Sequence, residues 1–341
     1  MSWIDRFKNM AIYLLISIIS IVVLEGLLRL ISPINIVGYT FAYEYDSELG
    51  IIAKKNLRYI NVKDYREEFH TNRIGTVNFS EDFRKYRSIV YALGDSYTQG
   101  TGLPSDSSYP AQLDMLLNVR DGKYHFDYAV INLGLGGYGS IQQLRILNRF
   151  IESLPKPDYI LVMGSGNDAW DDYRIRSGLI FKNPMEGNPI YGFLSKPIAW
   201  FAFKTEIGKH AFMGAKTITS LIAASDKSKI PSHDNSNFMI TALYDQYKEI
   251  LTVANQHKAK VIFTFAGNDK NYLTLKKWAT EEGARFADWV PVVESVNEAI
   301  PAIPRENDHS GGHYRPWVNY IIAKTFAQEI SDGSMNRCEL R

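Results

Sequence analysis

Four segments of the chain carry side chains suited to acyl transfer, and three of them directly follow short apolar runs that predict buried strands. Ser96 lies just beyond the run at residues 88–93, and the glycine-rich residues 134–139 follow a second run. Asn167 comes after a third run, and His313 precedes the last helical stretch. A nucleophile, donors for an oxyanion and a base are the parts that an acyl-transfer site requires. We therefore expect such a site if the fold brings these segments together.

The elements that must position these side chains form a regular alternation of apolar runs and amphipathic stretches from Ser88 onward. This alternation predicts an α/β protein with three layers, in which helices cover both faces of a mostly parallel, flavodoxin-like sheet. Ligands of such sheets bind at the carboxyl ends of the strands. The predicted strands are residues 88–93, 128–133, 159–163, 260–266 and 285–289, and the predicted helices are 109–119, 140–154, 238–256, 272–282 and 317–330.

The order and wording of the segments resemble the SGNH hydrolases, the GDSL-type esterase superfamily. The resemblance is carried by GDSYTQGTGL, NLGLGGYGSIQQL and GNDAWDD, which look like a membrane-anchored bacterial branch, and it extends from about residue 91 to the last helix. It implies that Ser96 is the nucleophile. It also implies an oxyanion hole made by the backbone N–H groups of Ser96 and Gly137 and by the side chain of Asn167.

The last segment departs from the spacing of that family. The usual pattern is Asp-x-x-His, but the residue three positions before His313 is a serine. We take His313 as the base because Gly-His-Tyr before the final helix resembles the family's sequence pattern there. We take Asp308 as the partner that orients it. His309 with Glu306 as its partner remains an alternative at this stage.

A second reading of the glycine-rich residues 134–139 is a dinucleotide-binding loop, because they also satisfy G-x-G-x-x-G between a strand and a helix. That reading needs an acidic residue at the end of the next strand, and none is present there. We therefore expect no cofactor. We also expect no metal site, because the remaining histidines lack the spacing of metal ligands: His70, His125, His210, His233 and His257.

The charge balance and the cysteine content exclude several other classes of protein. With 38 basic and 37 acidic side chains among 341 residues, the net charge of +1 argues against a nucleic-acid-binding protein. A single cysteine, Cys338, excludes a disulfide within the chain. The expected partner is an ester substrate, with acylated carbohydrates as one candidate class. The sequence leaves the oligomeric state open.

The N-terminal segment predicts a membrane anchor. Residues 10–24 carry no charge, and a helix over residues 7–31 is long enough to cross a hydrocarbon core of about 30 Å. No small-residue cleavage site follows the apolar run, so we expect an uncleaved anchor rather than a signal peptide. Arg6 and Lys8 precede the helix, which predicts a cytoplasmic N-terminus and an exported catalytic domain.

These observations predict an organisation in four parts. They are a membrane anchor at residues 1–32, an irregular linker or β-rich cap at 33–87, an SGNH-type catalytic domain at 88–332 with a lid insertion near 171–237, and a tail at 333–341. The predicted function is a membrane-anchored serine esterase that hydrolyses acyl esters, O-acetyl esters among them. Two alternatives remain open: an O-acyltransferase acting on cell-envelope glycans with the same site, and a non-catalytic, membrane-tethered binding or assembly protein.

Overall fold

A computed structural model of the chain describes most of the sequence and divides into two compact units. One unit comprises residues 1–37 and 184–233, and the other comprises 38–183 and 234–341. The residues described are 3–31, 43–62, 66–78, 81–178, 201, 205–208, 210–211, 236–307 and 312–331. Asp308, His309, His233, most of the predicted lid insertion and the predicted tail therefore lie outside the described residues.

The first unit contains helix α1, Trp3–Ile31, whose 29 residues would span about 43 Å at 1.5 Å per residue. No part of its most apolar window is buried, and the helix is long and apolar enough to cross a membrane. The carboxylate of Glu25, an acidic residue in the interior of the helix, has three hydrogen-bond donors. The Glu25 carboxylate accepts hydrogen bonds from the backbone N–H groups of Glu206 (2.9 Å) and Ile207 (3.1 Å) and from Arg29 Nε (2.9 Å).

The second unit is built on a sheet of five parallel strands. The strands of this unit are β1 (Tyr43–Asp46), β2 (Gly50–Ala53), β3 (Arg58–Val62), β4 (Arg66–His70), β5 (Ser88–Leu93), β6 (Val119–Arg120), β7 (Lys123–Tyr124), β8 (Tyr128–Asn132), β9 (Tyr159–Ser165), β10 (Lys260–Ala266) and β11 (Arg285–Phe286). The order across the sheet is β11-β10-β9-β5-β8. The first strand of the sheet along the chain thus lies between the second and the third, which is the flavodoxin-like order and confirms the predicted fold class.

The helices of this unit follow the strands in alternation. They are α2 (Ser96–Gln99), α3 (Tyr109–Asn118), α4 (Ser140–Ile151), α5 (Asp168–Arg176), α6 (Ser236–Gln256), α7 (Lys270–Glu281), α8 (Val290–Ala299) and α9 (Pro316–Ile330). Helix α3 packs on α9, and α4 and α5 both pack on α6. Strands β5, β9 and β10 are almost entirely buried, as expected when helices cover both faces of a parallel sheet.

The described residues between α1 and the sheet include two hairpins, β1–β2 and β3–β4, which belong to the same compact unit as the sheet. The first hairpin is bound to the segment that contains α4. Arg149 forms two hydrogen bonds with the Asp46 carboxylate (2.8 and 2.9 Å), and Gln142 Nε2 donates to the carbonyl of Leu49 (2.7 Å). Tyr138 donates to the carbonyl of Ile51 (2.8 Å). These contacts bind the first hairpin to α4 and to the loop that precedes it.

The fifth predicted strand, residues 285–289, is wrong in length, because the observed strand β11 has only two residues. The backbone N–H of Ala287 still donates to the Phe263 carbonyl (2.8 Å), and the chain then turns into helix α8. Proline 291 lies in the first turn of α8, where its missing N–H costs nothing. The strand therefore ends after Phe286, and Trp289, the last residue of the predicted strand, is the N-cap of α8.

Candidate active site

Ser96 lies on a tight turn between β5 and α2, which we call the serine turn and define as residues 94–100. Gly94 has φ +155°, and a Cβ atom added there would lie 2.1 Å from Thr98 Oγ1, so only glycine fits. Asp95 is the N-cap of α2 and accepts a hydrogen bond from the backbone N–H of Tyr97 (2.9 Å). The turn thus places Ser96 as the first residue of α2, half-buried at the carboxyl end of β5.

His313 lies directly against Ser96, although 217 residues separate the two in sequence. The distance between Ser96 Oγ and His313 Nε2 is 2.7 Å, which is a normal hydrogen-bond length. The backbone holds His313 in place, because its carbonyl accepts from the N–H of Asn307 (2.8 Å). The ring of Tyr97 packs on the imidazole with 4.8 Å between ring centroids. A serine and a histidine in this geometry have the arrangement that a nucleophile and its base require.

The glycine-rich residues 134–139, which we call the glycine loop, are tied to the serine turn by buried side chains. Gln99 accepts a hydrogen bond from the backbone N–H of Gly136 (2.7 Å) and donates one to Tyr43 Oη (2.8 Å). Asn132 Nδ2 donates to the carbonyl of Thr98 (2.9 Å). Gly137 has φ +81°, a backbone conformation that favours glycine. The carboxyl ends of β5 and β8 therefore present one connected set of loops.

Asn167 lies at the N-terminus of α5, just beyond the carboxyl end of β9, and its side chain is held by the following turn of the helix. Its Nδ2 donates to Asp171 Oδ2 at 2.8 Å. An amide nitrogen carries two hydrogens, so this bond leaves one hydrogen for another acceptor. Arg174 in turn pairs with the other oxygen of Asp171 (3.2 Å). Helix α5 thus fixes the orientation of the Asn167 side chain.

A cluster of four buried aspartates lies behind these loops, and none of them is more than 4% exposed: Asp95, Asp168, Asp171 and Asp172. We call this group the carboxyl cluster. Burial raises the pKa of Asp168 well above its usual range, and the neighbouring charge of Asp95 raises it further. Burial also raises the pKa of Asp172, to about 6. Within the part of the chain that the structure describes, no group of three or more His, Cys, Asp or Glu side chains is placed to hold a metal ion.

The structure places Ser96 and His313 within hydrogen-bond distance of each other, so the ring that faces Ser96 is that of His313. Asp308, the predicted partner of His313, and His309, the alternative base, lie outside the described residues. Glu306, the alternative carboxylate, is exposed, and its backbone pairs with that of Tyr314. Sequence reasoning missed the contacts that Tyr97 and Gln99 make at the site. For Gln99, the available signal was a polar side chain three positions after the serine, in the same short helix.

Comparison with known proteins gives a family match and several similar folds. The model of the GDSL-like lipase/acylhydrolase family matches residues 92–321. Among solved structures, a lipolytic protein of the G-D-S-L family from Veillonella parvula is 12% identical, with a TM-score of 0.41 over 73% of this chain and 99% of that one. Esterase EstA from Pseudoalteromonas sp. is 13% identical, with a TM-score of 0.41 over 73% of this chain and 100% of that one. AlinE4, an SGNH-hydrolase family esterase, is 18% identical, with a TM-score of 0.36 over 68% of this chain and 88% of that one.

No curated protein matches the chain. The family model, by contrast, covers well over half of it, and the matched residues begin within β5 and end within α9. They therefore include the serine turn, the glycine loop, Asn167 and His313. The chain belongs to the GDSL-like lipase/acylhydrolase family and is an enzyme that hydrolyses ester bonds.

Proposed function

We propose that the protein is a membrane-anchored serine esterase in which Ser96 is the nucleophile and His313 the base. The observation that carries the proposal is the 2.7 Å distance between Ser96 Oγ and His313 Nε2. In the first step His313 Nε2 takes the hydroxyl proton while Ser96 Oγ bonds to the ester carbonyl carbon. The imidazolium then gives that proton to the departing alcohol. A water molecule resolves the acyl-enzyme by the same steps, and Ser96 regains its proton.

The negative charge that develops on the carbonyl oxygen needs donors, and we assign three. The backbone N–H of Ser96 lies in the first turn of α2, where N–H groups have no partner within the helix. The backbone N–H of Gly137 and the second amide hydrogen of Asn167 complete the set. The bond from Asn167 to Asp171 supports this role because it fixes the amide without using both of its hydrogens. Losing one such donor typically raises the barrier by about 2.7–4 kcal/mol.

We assign Asp308 as the carboxylate that orients His313, on the grounds of its spacing from that residue. Asp308→Asn is expected to lower kcat by several orders of magnitude, because the imidazole would lose the partner that selects its tautomer. Glu306→Gln is the matched control, since it removes the other nearby carboxylate. If Glu306→Gln were the damaging change and Asp308→Asn the harmless one, the assignment would pass to Glu306.

Labelling with a fluorophosphonate tests the nucleophile directly. The full-length protein in mild detergent is expected to acquire one adduct, on Ser96, and to cleave short-chain p-nitrophenyl esters. Ser96→Ala should abolish both, whereas Ser153→Ala removes an exposed serine and should change neither. His313→Gln should slow both reactions, with His125→Gln as its exposed control. Undiminished ester cleavage by purified Ser96→Ala protein would refute the proposal.

The membrane anchor and its orientation form a separate part of the proposal. Helix α1 supports a single span, and the basic residues Arg6 and Lys8 before its apolar part support a cytoplasmic N-terminus. Cys338, the single cysteine, provides a native reporter for the opposite end of the chain. A membrane-impermeant maleimide should label it in intact spheroplasts, and Cys338→Ser should remove the signal. Labelling only after lysis would reverse the orientation.

A further inference from the structure

The hydroxyl of Ser165, beside the serine turn, lies between two buried carboxyl groups. Ser165 Oγ is 2.8 Å from Asp95 Oδ2 and 2.8 Å from Asp168 Oδ1. Asn167 Oδ1 is a third neighbour of the same oxygen, at 2.7 Å. A serine hydroxyl has a single hydrogen to donate. It cannot serve two ionised carboxylates at once, so at least one of Asp95 and Asp168 carries a proton.

The surroundings of Asp168 indicate that it is the protonated one. Its Oδ2 accepts hydrogen bonds from Tyr247 Oη (3.0 Å), the Ser165 N–H (3.1 Å) and Gln143 Nε2 (3.4 Å), as a carbonyl oxygen does. Its Oδ1 contacts only Ser165 Oγ among the described hydrogen bonds, and a hydroxyl hydrogen on Oδ1 would complete that contact. The side chain is fully buried, and its charged neighbours, Asp95 and Asp172, are acids.

Asp95 has the opposite environment. Both of its oxygens face donors, the Tyr97 N–H (2.9 Å) and the Ser165 hydroxyl (2.8 Å). Burial raises the pKa of Asp95, and its hydrogen bonds and the charge of His313 act in the opposite direction. A negative charge on Asp95 and a positive charge on His313 therefore attract each other.

We infer that Asp168 is a neutral carboxylic acid that donates to Ser165, and that Ser165 shares its single hydrogen between an ionised Asp95 and the amide oxygen of Asn167. The inference rests on the proposed role of Ser96 and His313. In that role Asp95 is a positioning residue: it caps α2, and its charge favours the imidazolium that forms when Ser96 attacks. Because Asp168 is neutral, it adds no negative charge next to that of Asp95. The other titratable groups that face the pair are Tyr97, Tyr109, Asp171, Asp172 and Tyr247.

The pH dependence of fluorophosphonate labelling separates the two aspartates, because labelling follows the fraction of neutral His313. Asp95→Asn removes a negative charge that favours the imidazolium, so the acid limb of the labelling profile should move to lower pH. Asp168→Asn replaces one neutral group by another of the same shape, so its limb should coincide with that of the wild type. Asp172→Asn serves as a control for the remaining buried charge. A shifted limb in Asp168→Asn with none in Asp95→Asn would overturn the inference.

Infrared spectroscopy tests the proton on Asp168 without any reaction. At pH 8 the wild-type protein should show the carbonyl stretch of a protonated carboxylic acid, and the band should be missing in Asp168→Asn but present in Asp95→Asn. A wild-type spectrum without this band would overturn the inference even if Ser96 is labelled normally. Conversely, a protein that has the band but forms no adduct at any pH would refute the proposed nucleophile. It would also refute the proposed electrostatic effect of Asp95 on His313.

Discussion

Asp172 offers a test of the physical chemistry of the carboxyl cluster that does not depend on catalysis. Its side chain is 4% exposed and reaches the N-terminus of α4, where it accepts hydrogen bonds from the Ser140 hydroxyl (2.5 Å) and the Ile141 N–H (2.9 Å). These bonds favour the charged form, but burial outweighs them and raises the pKa from 3.8 to about 6. Asp172→Asn keeps the shape and removes the charge.

The sign of the effect follows from proton binding. Between the unfolded pKa of 3.8 and the folded pKa of about 6, the folded protein binds more protons than the unfolded chain, so this group lowers stability as the pH rises. A shift of about two units at about 1.4 kcal/mol per unit gives a loss of about 3 kcal/mol that is complete above pH 7. Most of it is absent at pH 4. Asp172→Asn should therefore gain about 2–3 kcal/mol over the wild type between pH 4 and pH 8.

Urea unfolding of the full-length protein in nonionic detergent, followed at pH 4 and pH 8, measures this difference. The matched control is Asp106→Asn, because Asp106 is an exposed aspartate of the same unit. Its free energy of unfolding relative to wild type should be nearly the same at the two pH values. The reasoning would be refuted if the difference in free energy of unfolding between Asp172→Asn and the wild type did not change with pH. It would also be refuted if the wild type were the more stable protein at pH 8.

Two further predictions concern the serine turn and the first hairpin. Gly94→Ala should abolish labelling of Ser96, because the added Cβ would collide with Thr98, whereas Gly166→Ala, with no atom within 4 Å of its added Cβ, should be labelled at nearly the wild-type rate. Mass spectrometry of the adduct measures both, and equal labelling of the two variants would contradict the steric argument. Arg149 holds the pKa of Asp46 at about 2, so ionised Asp46 stabilises the fold above pH 4, and this contribution is lost as the pH falls through 2. Asp46→Asn should cost about 1–2 kcal/mol at pH 7 and progressively less below pH 4, as urea unfolding measures; an equal cost at pH 7 and pH 2 would contradict the linkage.

The strands of the sheet could be predicted from local patterns because burial on both faces requires continuous apolar runs. Residues 88–93 and 260–266 were predicted with the bounds that β5 and β10 have in the structure. The region before the sheet was expected to be an irregular linker or a β-rich cap, but its individual strands were not located, because strands such as β4, Arg66–His70, are rich in charged residues. Helix α8 escaped because its first apolar residues directly continue the apolar end of the preceding stretch.

The sequence by itself determined the chemical character of the protein: a strand–turn–helix signature around Ser96, a glycine loop, an asparagine at the start of a helix and an apolar helix at the N-terminus. Only the tertiary structure decided which imidazole meets Ser96 and which acids contact the Ser165 hydroxyl. The reason is the strand order, which puts β5 beside β9 and so joins Asp95 to Ser165 across 70 residues. Patterns of nearest neighbours in a chain do not encode which strands become neighbours in a sheet, because that choice is made by the packing of the whole core.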